Sequence, residues 1–179
     1  KKINFNILDV DKMVLNKMRS SDFSKENFQV PLAGNLIPWI DQDLGKGLSR
    51  EEWKGQFETN KILMNDYEKI NVDGLCTRIG SMRSHSQALT IKLKKHYELT
   101  EINDLIKSAN NWVKLVPNEK EASINNLTPA AVSGGLDIAI GRVRRLALDD
   151  NIISAFTVGD QLLWGAAEPL RRMLQILIK

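Results

Sequence analysis

The sequence predicts an α+β fold, on the basis of three observations. Ser49 and Glu52 stand three residues apart as a capping box, which indicates the start of a helix. Leu89, Ile91 and Leu93 alternate with polar residues, which is typical of a strand with one apolar side. The helical and strand patterns do not follow the regular βαβ alternation that a doubly wound parallel sheet requires.

The elements of the first half follow from the spacing of apolar residues and from chain breakers. Apolar residues at helical spacing predict a short amphipathic helix over residues 9–18. Two prolines and a glycine interrupt the apolar stretch 30–40, so we expect it to be buried and irregular. The capped helix should continue to about Met64. Residues 72–93 are expected to form β structure with a break in the middle, with His85 near a strand end.

The second half is expected to contain shorter helices and strands. Thr100 is expected to cap a helix that runs to about Ser108, with Ile102, Leu105 and Ile106 facing inward. Alternation and breakers predict the remaining elements, which are a strand over 113–116, a polar irregular stretch over 119–135, strands over 138–148 and 152–158, and a leucine-rich helix over about 162–178.

Composition excludes several classes of protein. The 179 residues suit one domain, and 42% hydrophobic with 26% charged residues is ordinary for a soluble protein. No apolar run approaches the roughly 20 residues of a membrane-spanning helix, and residues 1–5 do not open a signal peptide. The net charge of +3 is interleaved along the chain, which favours a solvated surface over a nucleic-acid interface. One cysteine and two histidines exclude a disulfide framework and a zinc site of the usual spacing, and fit a cytoplasmic protein.

Sequence motifs in a fixed order extend over nearly the whole chain. They occupy residues 30–40, 52–61, 72–80, 83–88, 127–132 and 155–173. These motifs resemble the aspartate-β-semialdehyde dehydrogenases of the Gram-negative bacterial type, and they correspond to about the C-terminal half of a family member. The missing initiator methionine agrees with a chain that begins within a longer protein.

The resemblance implies a fold like the C-terminal catalytic and dimerisation domain of glyceraldehyde-3-phosphate dehydrogenase. Such a domain has a mixed sheet backed by helices and pairs with a twin subunit. We expect residues 1–162 to form this substrate-binding and dimerisation domain. The final helix, residues 163–179, is expected to pack against an N-terminal Rossmann domain that this chain lacks, so its leucine-rich face should be partly exposed and promote self-association.

The resemblance also implies a reaction. Family members use NADP to convert aspartyl phosphate reversibly into aspartate semialdehyde, through an acyl-thioester on a cysteine. This reaction supplies lysine, threonine, methionine and diaminopimelate synthesis. The expected ligands are therefore NADP, phosphate and a small amino-acid substrate, with neither nucleic acid nor membrane as a partner.

Arg78 and His85 match the family's substrate-binding arginine and its acid–base histidine. A planar guanidinium can form two parallel charge-assisted bonds with the substrate carboxylate, and an imidazole can transfer protons near neutral pH. An arginine without this context is more often part of a surface ion pair, and a histidine at a strand edge is more often structural. The surrounding motifs favour the functional interpretation of both residues.

Glu58 and Lys61 match the residues that bind the substrate ammonium and the phosphate. Their spacing of three places both on one helix face, so one element can present opposite charges to two ends of a ligand. The alternative is an ordinary salt bridge on a helix surface, which contributes little to stability. The intact motif around them favours ligand binding.

Gln161 matches the glutamine that contacts the nicotinamide end of the cofactor, because an amide offers both a donor and an acceptor to a carboxamide. The alternative is a glutamine that satisfies backbone groups at a helix start. Cys76 does not match the family's nucleophile, which belongs to a different segment. We expect Cys76 to be a structural cysteine, buried or at a strand edge.

Two functional interpretations remain open. The chain has no Gly-x-Gly-x-x-Gly dinucleotide fingerprint, and its only cysteine is not the nucleophile, so we expect the 179 residues alone to have no dehydrogenase activity. The chain is then either the C-terminal part of the enzyme or a non-catalytic dimerisation or ligand-binding module. The presence of all five matching residues favours the enzyme.

Overall fold

The computed structural model describes residues 6–65 and 67–178. Residues 1–5, and with them the argument against a signal peptide, lie outside the described residues. The chain divides into two units, Lys1–Gly80 and Ser81–Lys179. Each unit is described by itself.

The first unit contains two helices and a small β ribbon. Helix α1 (Ile7–Arg19) confirms the predicted amphipathic helix, and the side chain of Asn6 caps it by accepting from the Leu8 N–H at 3.1 Å. Strands β1 (Leu36–Ile37) and β2 (Arg78–Ile79) pair antiparallel.

Helix α2 (Arg50–Ile62) begins at the predicted capping box. The fully buried Ser49 hydroxyl accepts from the Glu52 N–H at 3.3 Å, and a Glu52 carboxylate oxygen accepts from the Ser49 N–H at 2.9 Å. Trp53 and Phe57 stack on one helix face with ring centroids 4.8 Å apart. The sequence therefore predicted the start of this helix correctly.

Two expectations for the first unit are wrong. The stretch 30–40 is irregular as predicted, but Leu36 and Trp39 are 50% and 40% exposed, because a two-stranded ribbon offers no second layer to cover them. No strand forms over residues 72–77. The N–H groups of Val72 and Cys76 bond instead to side chains of α2.

The second unit is built on a four-stranded sheet. Its strands are β3 (His85–Lys92), β4 (Val113–Leu115), β5 (Ile138–Leu146) and β6 (Asp149–Gly159), in the order β3-β6-β5-β4. The pairs β3–β6 and β5–β6 are antiparallel and the pair β4–β5 is parallel. The sheet is therefore mixed, as the resemblance implied.

Helices cover both faces of this sheet. Helix α3 (Leu99–Ser108) packs with Ile153 and Ala155, which alternate along β6 with Phe156 and Val158. Phe156 and Val158 belong to the opposite core, beneath the short helices α4 (Lys120–Asn126) and α5 (Pro129–Val132). Two cores result, one of them formed by Ile102, Val143, Ile153 and Ala155, the other by Val116, Leu127, Val132, Ala139 and Val158.

Helix α3 begins before the predicted cap. The Glu101 carboxylate accepts from the Glu98 N–H at 2.8 Å, so Glu98 and not Thr100 precedes the first turn. Ile102 is buried and Ile106 packs beside it, but Leu105 is 64% exposed. Leu105 lies about 100° from Ile106 around the axis, at the edge of the apolar stripe.

The stretch 119–135 is helical where an irregular segment was expected. Thr128 caps α5 by accepting from the Ala131 N–H at 3.4 Å, and Pro129 occupies its first turn. Threonine and proline in this order are typical of a helix start, which explains why the stretch is not irregular throughout.

Strand β5 contains a bulge that strict alternation did not predict. Gly141 pairs with Phe156 and Arg144 with Ser154, so Arg142 and Val143 together oppose one residue of β6. Arg142 has a φ of 56°, in the left-handed region. The bulge lets Val143 point into the core on the α3 side.

The chain ends in a π-helical turn (Leu163–Ala167) that continues into α6 (Glu168–Leu177). The Arg172 guanidinium stacks 3.9 Å from the Trp112 ring centre and 4.8 Å from that of Trp164, and Trp164 Nε1 donates to the Leu136 carbonyl at 3.1 Å. Leu170, Leu174 and Leu177 are at least 58% exposed. No helix among the described residues is both long and apolar enough to cross a bilayer.

Candidate active site

Helix α2 presents Glu58 and Lys61 to solvent. Both side chains are exposed, and within the described residues neither forms an ion pair. Lys61 Nζ lies 6.0 Å from the centre of the Phe57 ring. The alternative of a Glu58–Lys61 salt bridge is therefore not realised, and both charges are available to a ligand.

Arg78 lies half-buried at the start of β2. Its guanidinium carbon is 4.9 Å from the centre of the Phe28 ring, which supports the planar group from one face. No carboxylate of the described residues pairs with it. A supported guanidinium without a protein partner is suited to bind a ligand carboxylate in a bidentate manner.

A polar clamp fixes α2 to the segment that leads to Arg78. Asn60, only 7% exposed, accepts from the Ile70 N–H at 2.7 Å and donates to the Ile70 carbonyl at 2.9 Å. Gln56 also donates to that carbonyl and accepts from the Val72 N–H. The first unit thus holds Glu58 and Lys61 on an element that is hydrogen-bonded to the chain just ahead of Arg78.

His85 is the exposed first residue of β3, where it pairs in register with Gly159 at the end of β6. The strand-end position agrees with the expectation. Ser84 before it has a φ of 76°, so the backbone turns sharply into the strand. The Ser84 and Ser133 hydroxyls are 2.8 Å apart, which ties this turn to the residue that follows α5.

Gln161 is exposed between β6 and the π-helical turn. Its side chain lies along the backbone of Gly165, where a Cβ atom would come within 2.5 Å of Gln161 Nε2. Only a glycine leaves this space free. The Gln161 side chain therefore follows the Gly165 backbone and is still exposed to solvent, so its amide can bond another amide.

Asp160 was not identified from the sequence, although an aspartate just before a helix is a typical cap. It is completely buried, and its carboxylate accepts from Arg83 Nε at 2.6 Å, from the Gly134 N–H at 2.7 Å and from the Leu162 N–H at 3.1 Å. Burial raises the pKa of this group, but the donors, Gly134 and Arg83 foremost, outweigh burial and hold the pKa below its usual range. Asp160 is therefore an ionised, buried partner of Arg83.

Cys76 lies half-buried in the loop before β2. Burial, and then the nearby charges of Glu52 and Glu51, raise the pKa of its thiol. A thiol with a raised pKa is a weak nucleophile at neutral pH. The environment supports a structural cysteine, although in a loop and not in the expected strand.

No group of three or more His, Cys, Asp or Glu side chains in residues 6–65 and 67–178 is placed to hold a metal ion. Of the five predicted site residues, the first unit carries Glu58, Lys61 and Arg78, and the second carries His85 and Gln161.

Comparison with known proteins gives a family match over most of the chain. The model of the semialdehyde dehydrogenase dimerisation domain matches residues 6–164. The structure of aspartate semialdehyde dehydrogenase from Francisella tularensis is 47% identical with a TM-score of 0.92, over 98% of this chain and 48% of that protein.

More distant structures agree in fold. Aspartate semialdehyde dehydrogenase II from Vibrio cholerae is 23% identical with a TM-score of 0.75, over 93% of this chain and 47% of that one. A probable aspartate-semialdehyde dehydrogenase from Pseudomonas aeruginosa is 17% identical with a TM-score of 0.75, over 95% and 49% of the two chains. This chain spans about half the length of each of these proteins.

Proposed function

Because this chain belongs to the aspartate-semialdehyde dehydrogenase family and matches its dimerisation domain, we propose that it supplies the substrate-binding and proton-transferring part of such an enzyme. The reaction is the reversible, NADP-dependent conversion of L-aspartyl-4-phosphate into L-aspartate-4-semialdehyde and phosphate. It passes through an acyl-thioester on a cysteine outside these 179 residues.

The free guanidinium of Arg78 is the observation that carries the proposal. It is half-buried, supported by Phe28 and unpaired among the described residues. Arg78 binds the α-carboxylate of the substrate in a bidentate manner. The exposed Glu58 carboxylate binds the α-ammonium group, and the Lys61 ammonium binds the phosphate as a compact charge.

His85 is the residue that transfers protons during the reaction. It accepts the proton of the attacking thiol and returns a proton as the tetrahedral intermediate collapses. Its exposed position at a strand end supports this role. Cys76 is not the nucleophile, since its environment favours the neutral thiol.

Gln161 binds the carboxamide of the nicotinamide ring. The exposed Gln161 amide lies against Gly165, and it offers both a donor and an acceptor to a planar amide partner. When bound, NADPH supplies the hydride that reduces the thioester. We propose further that the enzyme is a cytoplasmic homodimer.

The test uses the full product of the gene that encodes this chain. We expect it to reduce NADP⁺ with aspartate semialdehyde only when phosphate is present, and we expect the 179 residues alone to be inactive. Arg78→Lys should raise the KM for the semialdehyde about 10- to 100-fold, because a lysine cannot form the paired bonds. Arg50→Lys, at an exposed arginine of α2, is the matched control.

Two outcomes would count against the proposal. A full gene product without phosphate-dependent NADP⁺ reduction would favour the non-catalytic module, which the dimerisation-domain match also allows. An unchanged KM in Arg78→Lys would remove Arg78 from the substrate site.

A further inference from the structure

Asp160 is a fully buried carboxylate to which the proposed reaction assigns no role. A buried charge is retained only with partners that compensate for its lost hydration. Its three donors belong to three different parts of the second unit, namely the turn before β3, the loop after α5 and the start of the final helix.

The first donor connects Asp160 to His85. Arg83 stands two residues before His85, and its Nε is 2.6 Å from Asp160 Oδ2. The Arg83 carbonyl accepts from the Ser81 hydroxyl at 2.8 Å, which fixes the backbone of the same turn. The position of His85 therefore depends on where the Arg83 side chain is held.

The last donor connects Asp160 to Gln161. The Leu162 N–H reaches Asp160 Oδ1 at 3.1 Å, and the Asp160 carbonyl accepts from the N–H groups of Leu163 and Trp164 at 3.1 and 3.0 Å. Asp160 is thus the cap that starts the final helical segment. Gln161 is the first residue after it.

The third donor to Asp160 is the Gly134 N–H, in the loop after α5. Gly134 N–H shares Asp160 Oδ2 with Arg83, at 2.7 Å. The neighbouring Ser133 hydroxyl is 2.8 Å from that of Ser84. The loop after α5 therefore supports the turn before His85 from a second side.

We propose that Asp160 is a positioning residue that holds His85 and Gln161 at a fixed separation through Arg83 and the helix cap. This proposal rests on the proposed roles of His85 and Gln161. The proton that His85 transfers and the hydride of a nicotinamide ring act at the same reacting centre, so their separation determines how often both are aligned. A displacement of about 1 Å in such a site costs on the order of 100-fold in rate.

The test compares two buried carboxylates in the full gene product. Asp160→Asn is nearly isosteric, but in either orientation its NH2 group faces at least one of the three N–H donors that the carboxylate accepts from. Glu168→Gln neutralises a carboxylate that is 5% exposed and bonded to Arg171 and Arg172 in place of Arg83. We expect Asp160→Asn to lower kcat about 100-fold and to raise the KM for NADP⁺, with the KM for semialdehyde within about twofold. Glu168→Gln should lower the thermal midpoint with kcat nearly unchanged.

A second variant decides the question if Asp160→Asn does not fold. Arg83→Lys keeps both charges but replaces the planar Nε–H donor with a point charge. We expect kcat to fall about 10-fold without a change in the KM for semialdehyde. A fall of less than twofold would overturn the proposal, and so would an Asp160→Asn variant that behaves like Glu168→Gln.

The His85 imidazole and Gln161 side-chain amide resonances separate this proposal from the proposed function. If the wild-type product is inactive, the proposed function fails, and these resonances still report position. Both should shift in Asp160→Asn and in Arg83→Lys, and neither should shift in Glu168→Gln. If only one of the two signals moves, the coupling between them does not exist.

Discussion

The side chain of Asn60 forms two hydrogen bonds with the backbone of Ile70, accepting from its N–H at 2.7 Å and donating to its carbonyl at 2.9 Å. Asn60 belongs to α2, which carries Glu58 and Lys61, and Ile70 belongs to the segment that leads to Arg78. The buried Asn60 amide therefore joins the helix that carries Glu58 and Lys61 to the segment that carries Arg78. We assign the first two residues to the ammonium and phosphate groups of the substrate, and Arg78 to its carboxylate.

Replacing Asn60 with aspartate tests this relation. Asn60→Asp keeps the size of the side chain but turns an oxygen towards the Ile70 carbonyl, which removes one of the two donors to that carbonyl and sets two acceptors against each other. We expect a loss of about 2 kcal/mol in the free energy of unfolding, measured by urea denaturation, and a KM for the semialdehyde raised about 10-fold. Asn125→Asp, at an exposed position of α4, is the control. An unchanged KM in Asn60→Asp would show that the clamp does not position the substrate-binding charges.

Gly165→Ala should separate cofactor binding from stability. A methyl group there would come within 2.5 Å of Gln161 Nε2, so the flexible glutamine side chain must leave its place. Alanine favours a helix over glycine by about 1 kcal/mol, so the thermal midpoint should not fall. We expect the KM for NADP⁺ to rise while the midpoint stays level or increases.

Gly55→Ala provides the matched control for Gly165→Ala. Gly55 lies in α2, and a Cβ atom there meets only Val72 Cγ1, at 3.9 Å. Stability should rise without a change in the KM for NADP⁺. Equal kinetics in the two alanine variants would remove Gln161 from the cofactor site.

Glu168 should contribute to stability that is lost in acid. Hydrogen bonds from Arg171, and then from Arg172, lower its pKa from 4.5 to about 2. Because the folded pKa is below the unfolded value, the folded state binds fewer protons between these pH values. The stabilisation is complete above about pH 4.5 and disappears as the pH falls towards 2.

Thermal midpoints measured from pH 7 to pH 2 check this expectation. Glu168→Gln should have a lower midpoint than wild type near neutral pH, and the difference should shrink in acid. Asp104→Asn removes a partner of Lys107 on the surface, at 3.5 Å, and should change the midpoint little at any pH. A Glu168→Gln difference that is constant with pH would contradict the lowered pKa.

Cys76 should react slowly with alkylating reagents. Burial and two neighbouring carboxylates raise the pKa of its thiol, and the thiolate is the reactive form. We expect iodoacetamide to modify the native protein at pH 7 more slowly than the same peptide in urea, as followed by mass spectrometry. Cys76→Ser should retain the activity of the full gene product. A native thiol that reacts faster than the unfolded one would reopen the question of a catalytic role.

Local signals explain which elements could be predicted from the sequence. Helix α2 is specified by Ser49 and Glu52, three residues apart, and was predicted with its cap. The missing strand over 72–77 depends on bonds from the backbone of Val72 and Cys76 to Gln56 and Glu52 in α2. No alternation pattern can report a backbone N–H that is satisfied by a side chain elsewhere in the chain.

Some residues of the candidate site could also be predicted from the sequence, and others could not. The motifs predict Glu58, Lys61 and Arg78, whereas only the structure shows that these three charges form no ion pair among residues 6–65 and 67–178. Asp160 and Arg83 are 77 residues apart in sequence. A charged residue in isolation is expected at the surface, so only the structure identifies Asp160 as buried and paired with Arg83.

The bulge in β5 gives the strand one dispensable position. Arg142 and Val143 share a single partner on β6, so removing Arg142 would leave the pairs of Gly141 and Arg144 in place and would keep Val143 in its core. The deletion would also abolish a left-handed arginine, a conformation that costs about 1 kcal/mol. A one-residue deletion elsewhere in the strand reverses the faces of the side chains on one side of the cut. Within β5, we therefore expect a one-residue deletion to be tolerated best at Arg142.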